Sequence, residues 1–187
     1  MVNRLLKLAI AIVFFIGDNI HRITCKLIGK QKQPFLIILT YHSVKSSHVA
    51  NFEKQMNSLL KIGKTISLNN EIIILKSRYN FAVTFDDAYQ SALQNAVPIL
   101  RAKNIPATIF VPTGYMGKSP AWIKNQNHHD ASETVASEVQ LKALPADLIT
   151  IGTHTISHIR LTNVDESLAW KEIFESKNTL EKLLNKK

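Results

Sequence analysis

Apolar residues in this chain come in two rhythms. Runs of strand length occur at Phe35 to Tyr41, Thr65 to Leu68, Phe81 to Phe85, Ala107 to Val111 and Leu148 to Ile151. The first is continuous, which suits a strand covered on both faces. Between the runs, apolar residues recur at helical spacing. Phe52, Met56, Leu59 and Leu60 predict a helix that Gly63 closes as a C-terminal glycine. Asn70 caps a brief helix through Ile72 to Lys76, and Tyr89 to Lys103 forms a longer one that Pro98 starts or kinks. Asn104-Ile105-Pro106 breaks it, and Pro112-Thr113-Gly114 stops the next strand. Gly117 to Thr134 is polar and predicts a long surface loop. Ser137 caps a short helix reaching Leu144, and Asp165 opens a last helix whose apolar side is Leu168, Ile173, Phe174, Leu180, Leu183 and Leu184.

The N-terminal segment follows another pattern. Arg4 and Lys7 precede the apolar stretch Leu8 to Ile16, as in a secretory signal, but no small-x-small cleavage site follows. Ile16, Ile20, Ile23 and Leu27 continue at helical spacing, with Arg22, Lys26 and Lys30 opposite, which describes an amphipathic basic helix. The apolar run is shorter than the roughly 20 residues of a spanning helix. The expectation is an uncleaved anchor lying in or dipping into a membrane, with a buried helix of the soluble domain as the alternative. The linker is Gln31-Lys32-Gln33-Pro34, with residues 1–33 assigned to the N-terminal segment and residues 34–187 to the domain.

Strands alternating with helices, without internal repeats, predict an α/β domain with a mainly parallel sheet. Chemistry in such folds gathers at the carboxyl ends of strands. His42, Asp86, Asp87, His154 and His158 all fall at such ends.

Composition narrows the chemistry. The chain has 187 residues, 45% of them hydrophobic, the size of one ordinary domain with a real core. Its single cysteine, Cys25, excludes an internal disulfide and a multi-cysteine zinc site, so a metal would be held by His and Asp or Glu. Cys25 itself reads as an apolar residue of the N-terminal helix. A net charge of +9 favours anionic surfaces, lipid or cell-wall polymer among them. Nucleic acid is not an expected partner: aromatics are few, no Gly-rich loop occurs and the lysines are scattered.

Two His and one Asp form a three-ligand set for a borderline metal such as Zn²⁺, with a position open for water or substrate. Metal coordination lowers the pKa of water to about 7 and polarises a carbonyl, the requirements of hydrolysis. Asp86 or Asp87 can serve as ligand or base, and His42 as acid. Each residue alone has a simpler role. An Asp-Asp pair often caps a turn, and His-x-x-x-His spacing is weak by itself. Their joint placement at strand ends points to a site. His128 and His129 lie in the polar stretch and read as solvated, and Trp122 and Tyr115 as loop packing rather than a sugar-stacking surface.

Thr84-Phe85-Asp86-Asp87 and Gly152-Thr153-His154-Thr155-Ile156-Ser157-His158 resemble the first two motifs of the polysaccharide deacetylases, the NodB-homology domain of carbohydrate esterase family four. Asn104 to Val111 resembles the family's next strand. The resemblance implies a distorted (β/α) barrel and removal of acetyl groups from an acetylated glycan. Asp86 matches the catalytic base, and Asp87, His154 and His158 the metal triad. Leu39-Thr40-Tyr41-His42-Ser43-Val44 is similar to the start of the permuted branch containing poly-β-1,6-N-acetylglucosamine deacetylases, so His42 matches the general acid.

The family continues past its second motif with further strands and a Pro-Tyr-Gly or Pro-Phe-Gly segment that supplies an oxyanion donor. This chain reaches Lys187 after one helix, so a C-terminally incomplete barrel is expected. Together these readings predict a membrane-associated, metal-dependent deacetylase facing the cell envelope or exterior. A truncated remnant that binds glycan or a membrane surface is the alternative, and a metal-dependent amidase acting on a small molecule is a third reading.

Overall fold

A computed structural model of the chain describes residues 4–28, 34–69 and 77–185. The predicted linker residues Gln31 to Gln33 and the helix from Ile72 to Lys76 with its cap Asn70 lie outside the described residues. The chain divides into two units, residues 1–34 and 35–187.

In the first unit, Arg4–Leu27 is one unbroken helix, α1. The signal-like run and the basic amphipathic half are therefore continuous. Its Arg4–Cys25 stretch is long and apolar enough to cross a membrane by length and composition. At 1.5 Å per residue that stretch measures about 33 Å, against a hydrocarbon core of about 30 Å, so the length argument against a full span falls away. Asp18 and Arg22 pair one turn apart at 2.9 Å, leaving the middle of the helix without an isolated charge.

The second unit is a parallel sheet with helical crossovers. Its strands are β1 (Phe35–Tyr41), β2 (Lys64–Thr65), β3 (Tyr79–Phe85), β4 (Ala107–Val111) and β5 (Ile149–Thr153). They are joined by α2 (Val49–Ile62), α3 (Gln90–Asn95), α4 (Val97–Ala102) and α5 (Glu138–Lys142), and α6 (Glu166–Leu184) follows the last strand. The main order is β1-β3-β4-β5, every pair parallel. β3 is the branch point. β1 pairs along its whole length on one side, while β2 takes Asn80 and Phe81 and β4 takes Val83 to Phe85 on the other. Flanked on both sides, β3 is buried from Asn80 to Phe85. Its Phe85 anchors an aromatic cluster with Tyr41 and Phe52, ring centroids 5.2 to 6.0 Å apart.

Several elements depart from the sequence pattern for physical reasons. β1 was expected to be covered on both faces, yet it pairs with β3 alone among the described residues and leaves Ile38 53% exposed. The strand predicted over Thr65 to Leu68 shrinks to two residues, because β4 displaces it from the second half of β3. The long helix after Tyr89 splits at Ala96, and Pro98 sits in the first turn of α4, where no amide donor is needed. α5 ends at Lys142, short of Leu144, though Ser137 caps it through a reciprocal box with Gln140. Gly63 closes α2 in extended rather than left-handed backbone; its constraint is space, since a Cβ there would stand 2.6 Å from the Phe81 ring. The apolar side predicted for α6 divides. Leu180 is buried, but Leu168, Ile173 and Phe174 are exposed, and the buried face carries Glu172 and Ser176 instead.

Candidate metal and catalytic site

The five predicted residues all lie beyond the carboxyl ends of β1, β3 and β5. His42 follows β1, Asp86 and Asp87 follow β3, and His154 follows β5, with His158 in the loop after it. Tyr41 is in register with Phe85, so His42 and Asp86 are the next neighbours, and the Asp86 amide donates to the Tyr41 carbonyl at 2.9 Å. His42 itself is exposed, but the residues after it are fixed. The Ser43 hydroxyl donates to the Asp130 carboxylate, the Val44 carbonyl accepts from Asn95 at 2.7 Å, and the Lys45 ammonium donates to the His129 carbonyl.

Two sharp turns bring the donors together. Asp87 and Ala88 both have left-handed backbone, φ 65° and 48°, and so do Thr155 and His158 at 65° and 56°. Each such non-glycine residue costs about 1–3 kcal/mol and persists only where its surroundings impose it. The result places Asp87 Oδ1 3.0 Å from Nε2 of His158 and 3.6 Å from Nε2 of His154. The Asp87 residue is only 3% exposed, and this oxygen makes no hydrogen bond of good geometry.

The electrostatics follow from that packing. Burial is the largest single influence on the Asp87 carboxyl and pushes it up, but the His158 imidazole, the Tyr89 hydroxyl and the charge of His154 together outweigh it, and the net direction is down. Tyr89 is fully buried beside Asp87; burial first, then the Asp87 carboxylate, and finally Asp130 and Glu133, drive its phenol far above the ordinary range. His154 is lowered, chiefly by burial. Asp86 and Asp87 oppose that shift, while His158 and His42 add to it, so this one imidazole feels all four of the other predicted residues.

Asp87, His154 and His158 could hold a metal ion, their donor atoms lying within 4.8 Å of one another. Metal bonds of about 2.0–2.2 Å meeting at the tetrahedral angle put donor atoms about 3.3–3.6 Å apart, close to the carboxylate–imidazole distances here. A buried carboxylate oxygen without a hydrogen bond, faced by two imidazole nitrogens, fits a divalent cation. His128, His129 and Asp130 form a second such group, but the Asp130 oxygens are already taken by Ser43 and by His129 Nε2 at 2.9 Å. His128 and His129 are exposed, as expected.

The polar stretch from Gly117 to Thr134 is more than a surface loop. Asp130 and Glu133 are buried within it, and it is tied to the turn after β3 by a bridge between Tyr89 and Val135 and by the Ala136 amide donating to the Ala88 carbonyl. Trp122 lies against His158, and Tyr115 meets the indole edge-on. Trp122, Tyr89 and Glu172 are the neighbours of the site that sequence reasoning missed as such. Tyr89 and Trp122 carry no spacing signal, and Glu172 sits inside a helical pattern that reads as amphipathic.

Fold and donor set together describe an α/β domain with three residues that could hold a metal at the carboxyl rim of a parallel sheet. The polysaccharide deacetylase family model matches residues 76–187, more than half of the chain, and the chain belongs to that family. It is 28% identical over 173 residues to YxkH of Bacillus subtilis (strain 168), covering 87% of this chain and 57% of that protein. It is also 28% identical over 181 residues to the poly-beta-1,6-N-acetyl-D-glucosamine N-deacetylase of Staphylococcus aureus (strain MSSA476), covering 90% and 56%. The chain thus spans a little over half the length of these curated relatives. Among solved structures, IcaB from Ammonifex degensii matches with a TM-score of 0.64 at 23% identity, over 83% of this chain and 72% of that one. The expected NodB-type α/β fold is the fold observed.

Proposed function

We propose that this chain acts as a metal-dependent hydrolase that removes acetyl groups from an N-acetylated cell-surface or extracellular polysaccharide, and that α1 holds it at a membrane. The observation that carries this reading is the buried Asp87 oxygen facing His154 and His158, with Asp86 and His42 at adjoining strand ends. Asp87, His154 and His158 would hold a divalent ion, Zn²⁺ being the best match to this donor set. When bound, that ion supplies an activated water and polarises the acetyl carbonyl.

The remaining work falls to the chain. Asp86 takes the proton of the attacking water as general base, free to do so because it lies outside the donor set. His42, on the neighbouring strand end and open to solvent, gives a proton to the departing amine as the C–N bond breaks. Acetate and a free amino sugar leave. The poly-β-1,6-N-acetylglucosamine substrate of the Staphylococcus aureus relative makes an acetylated glucosamine polymer the first substrate to try.

The test is acetate release from N-acetylglucosamine oligomers by the full chain, with and without a chelator, together with the metal content of the purified protein. Release that stops on chelation and returns with Zn²⁺ is the expected result. Glycan binding with bound metal and no acetate release would instead establish a binding protein without turnover.

A further inference from the structure

Both imidazoles of the donor set hang from one short loop, and that loop is held from two sides. A peptide group turned away from water needs a partner, so the loop's own amides and carbonyls record what holds it. On one side the amides of Thr113 and Gly114 donate to the carbonyls of Thr155 and Ile156, at 3.1 and 2.9 Å. Gly114 is glycine for lack of room, since a Cβ there would stand 2.8 Å from the Ile156 carbonyl oxygen. On the other side stands Glu172. Its Oε2 accepts from the amides of Ile156 and Ser157, at 2.8 and 2.9 Å, and its Oε1 accepts from the Ser157 hydroxyl at 2.7 Å.

Glu172 is 7% exposed and shares the buried face of α6 with Ser176 and Leu180. Among the described residues it forms no ion pair. Burying a carboxylate without a cation costs several kcal/mol, which charge-assisted bonds to amide and hydroxyl donors offset. Among the described residues its three hydrogen bonds all go to the loop between His154 and His158. The backbone they grip is the stretch bounded by left-handed Thr155 and His158, a conformation that needs outside support.

We propose that Glu172 is a positioning residue of the metal site: its carboxylate clamps the peptide groups of Ile156 and Ser157 so that His154 and His158 present their Nε2 atoms to Asp87. This rests on the reading of Asp87, His154 and His158 as metal ligands. Partners that orient a ligand in this way are worth about 10- to 100-fold in metal affinity.

The experiment measures zinc affinity by competition with a chromophoric chelator, and the visible absorption of the Co²⁺-loaded protein, for wild type and Glu172→Ala, Glu172→Gln and Glu172→Asp. Folding is read first from thermal unfolding and near-ultraviolet circular dichroism. Glu172→Ala is expected to lose about 10- to 100-fold in zinc affinity and to change the Co²⁺ spectrum. Glu172→Gln, whose amide oxygen can still accept from both peptide amides, is expected to recover most of the affinity. If the Ala variant does not fold, Glu172→Asp decides, since it keeps the charge but draws it back by one methylene; it too is expected to bind zinc more weakly. Folded Ala or Asp variants with wild-type affinity and an unchanged spectrum overturn the clamp. A Gln variant as weak as Ala overturns it as well, because the effect then belongs to charge and not to position. A wild-type chain that binds no zinc overturns the metal reading itself, and this inference with it.

Discussion

The indole of Trp122 lies flat against the imidazole of His158, with ring centroids 4.2 Å apart and planes within 14°. On another side His154 meets the same ring at 5.0 Å and 63°, and Tyr115 backs the indole edge-on at 4.9 Å. If His158 is a ligand, as proposed, its imidazole must not rotate about its side-chain bonds, and the stack restrains it in the way a hydrogen bond to the far nitrogen often does. Trp122 belongs to the polar stretch between Gly117 and Thr134, so that stretch reaches the candidate site through its indole.

Replacing Trp122 by Ala is expected to weaken zinc binding by about tenfold, while Trp122→Phe, which still stacks, holds close to wild type. Chelator competition measures both. Equal affinity in all three proteins would mean that the stack is packing and nothing more.

Asp86→Asn and His42→Ala should separate binding from chemistry. Each is expected to keep the wild-type metal content and to lose acetate release by about 10²- to 10⁴-fold, the usual range for a missing base or acid. Asp87→Ala, by contrast, should lose the metal. Metal content is read by atomic emission, and an Asp87→Ala protein as metal-rich as wild type would refute the ligand assignment.

Tyr89→Phe removes the hydroxyl that faces the Asp87 carboxylate from a fully buried position. The carboxylate then lacks a donor it cannot replace with water, a loss of about 1–3 kcal/mol. The expected result is a lower urea midpoint in the metal-free protein. An unchanged midpoint would show that the carboxylate finds another donor.

Gly63→Ala tests the junction of α2 with β3. The added methyl would enter the Phe81 ring and the Tyr79 carbonyl, which face the glycine from the neighbouring strand. Overpacking of this kind costs about 1–3 kcal/mol, read as a lower unfolding midpoint. Because the backbone there is extended, φ −163°, conformational strain adds nothing, and wild-type stability would mean that α2 moves aside freely.

What the sequence makes legible is where chains of apolar residues end. β4 coincides with the predicted run from Ala107 to Val111, and Asp86, Asp87 and His154 stand where apolar runs give way to polar residues. What stays hidden is whatever depends on a partner distant in the chain. Hydrophobic spacing assigns the inner face of α6 to Leu168, Ile173 and Phe174, yet the helix turns Glu172 and Ser176 inward. Spacing counts apolar side chains and is blind to the demand for an acceptor set by the amides of Ile156 and Ser157. Asp130 is hidden in the same way: preceded in sequence by two histidines, it is buried and accepts from the hydroxyl of Ser43, 87 residues away. β1 errs in the other direction, since an apolar run cannot reveal that Ile37 and Ile38 stand exposed, nor that β1 pairs with β3 alone among the described residues.

The pairing of β1 with β3 has a further meaning for the site. His42 and Asp86 stand one step past the last of seven paired positions, Tyr41 with Phe85. A slip of one residue would re-form most of the backbone ladder while turning every side chain of β1 to the opposite face. His42 would then leave Asp86. The hydroxyl of Thr84 donates to that of Thr40 at 2.9 Å, a cross-strand tie that depends on this alignment. The proposed acid and base are therefore set beside each other by the same alignment that sets the two strands, and a misaligned sheet would be a folded domain with His42 and Asp86 drawn apart.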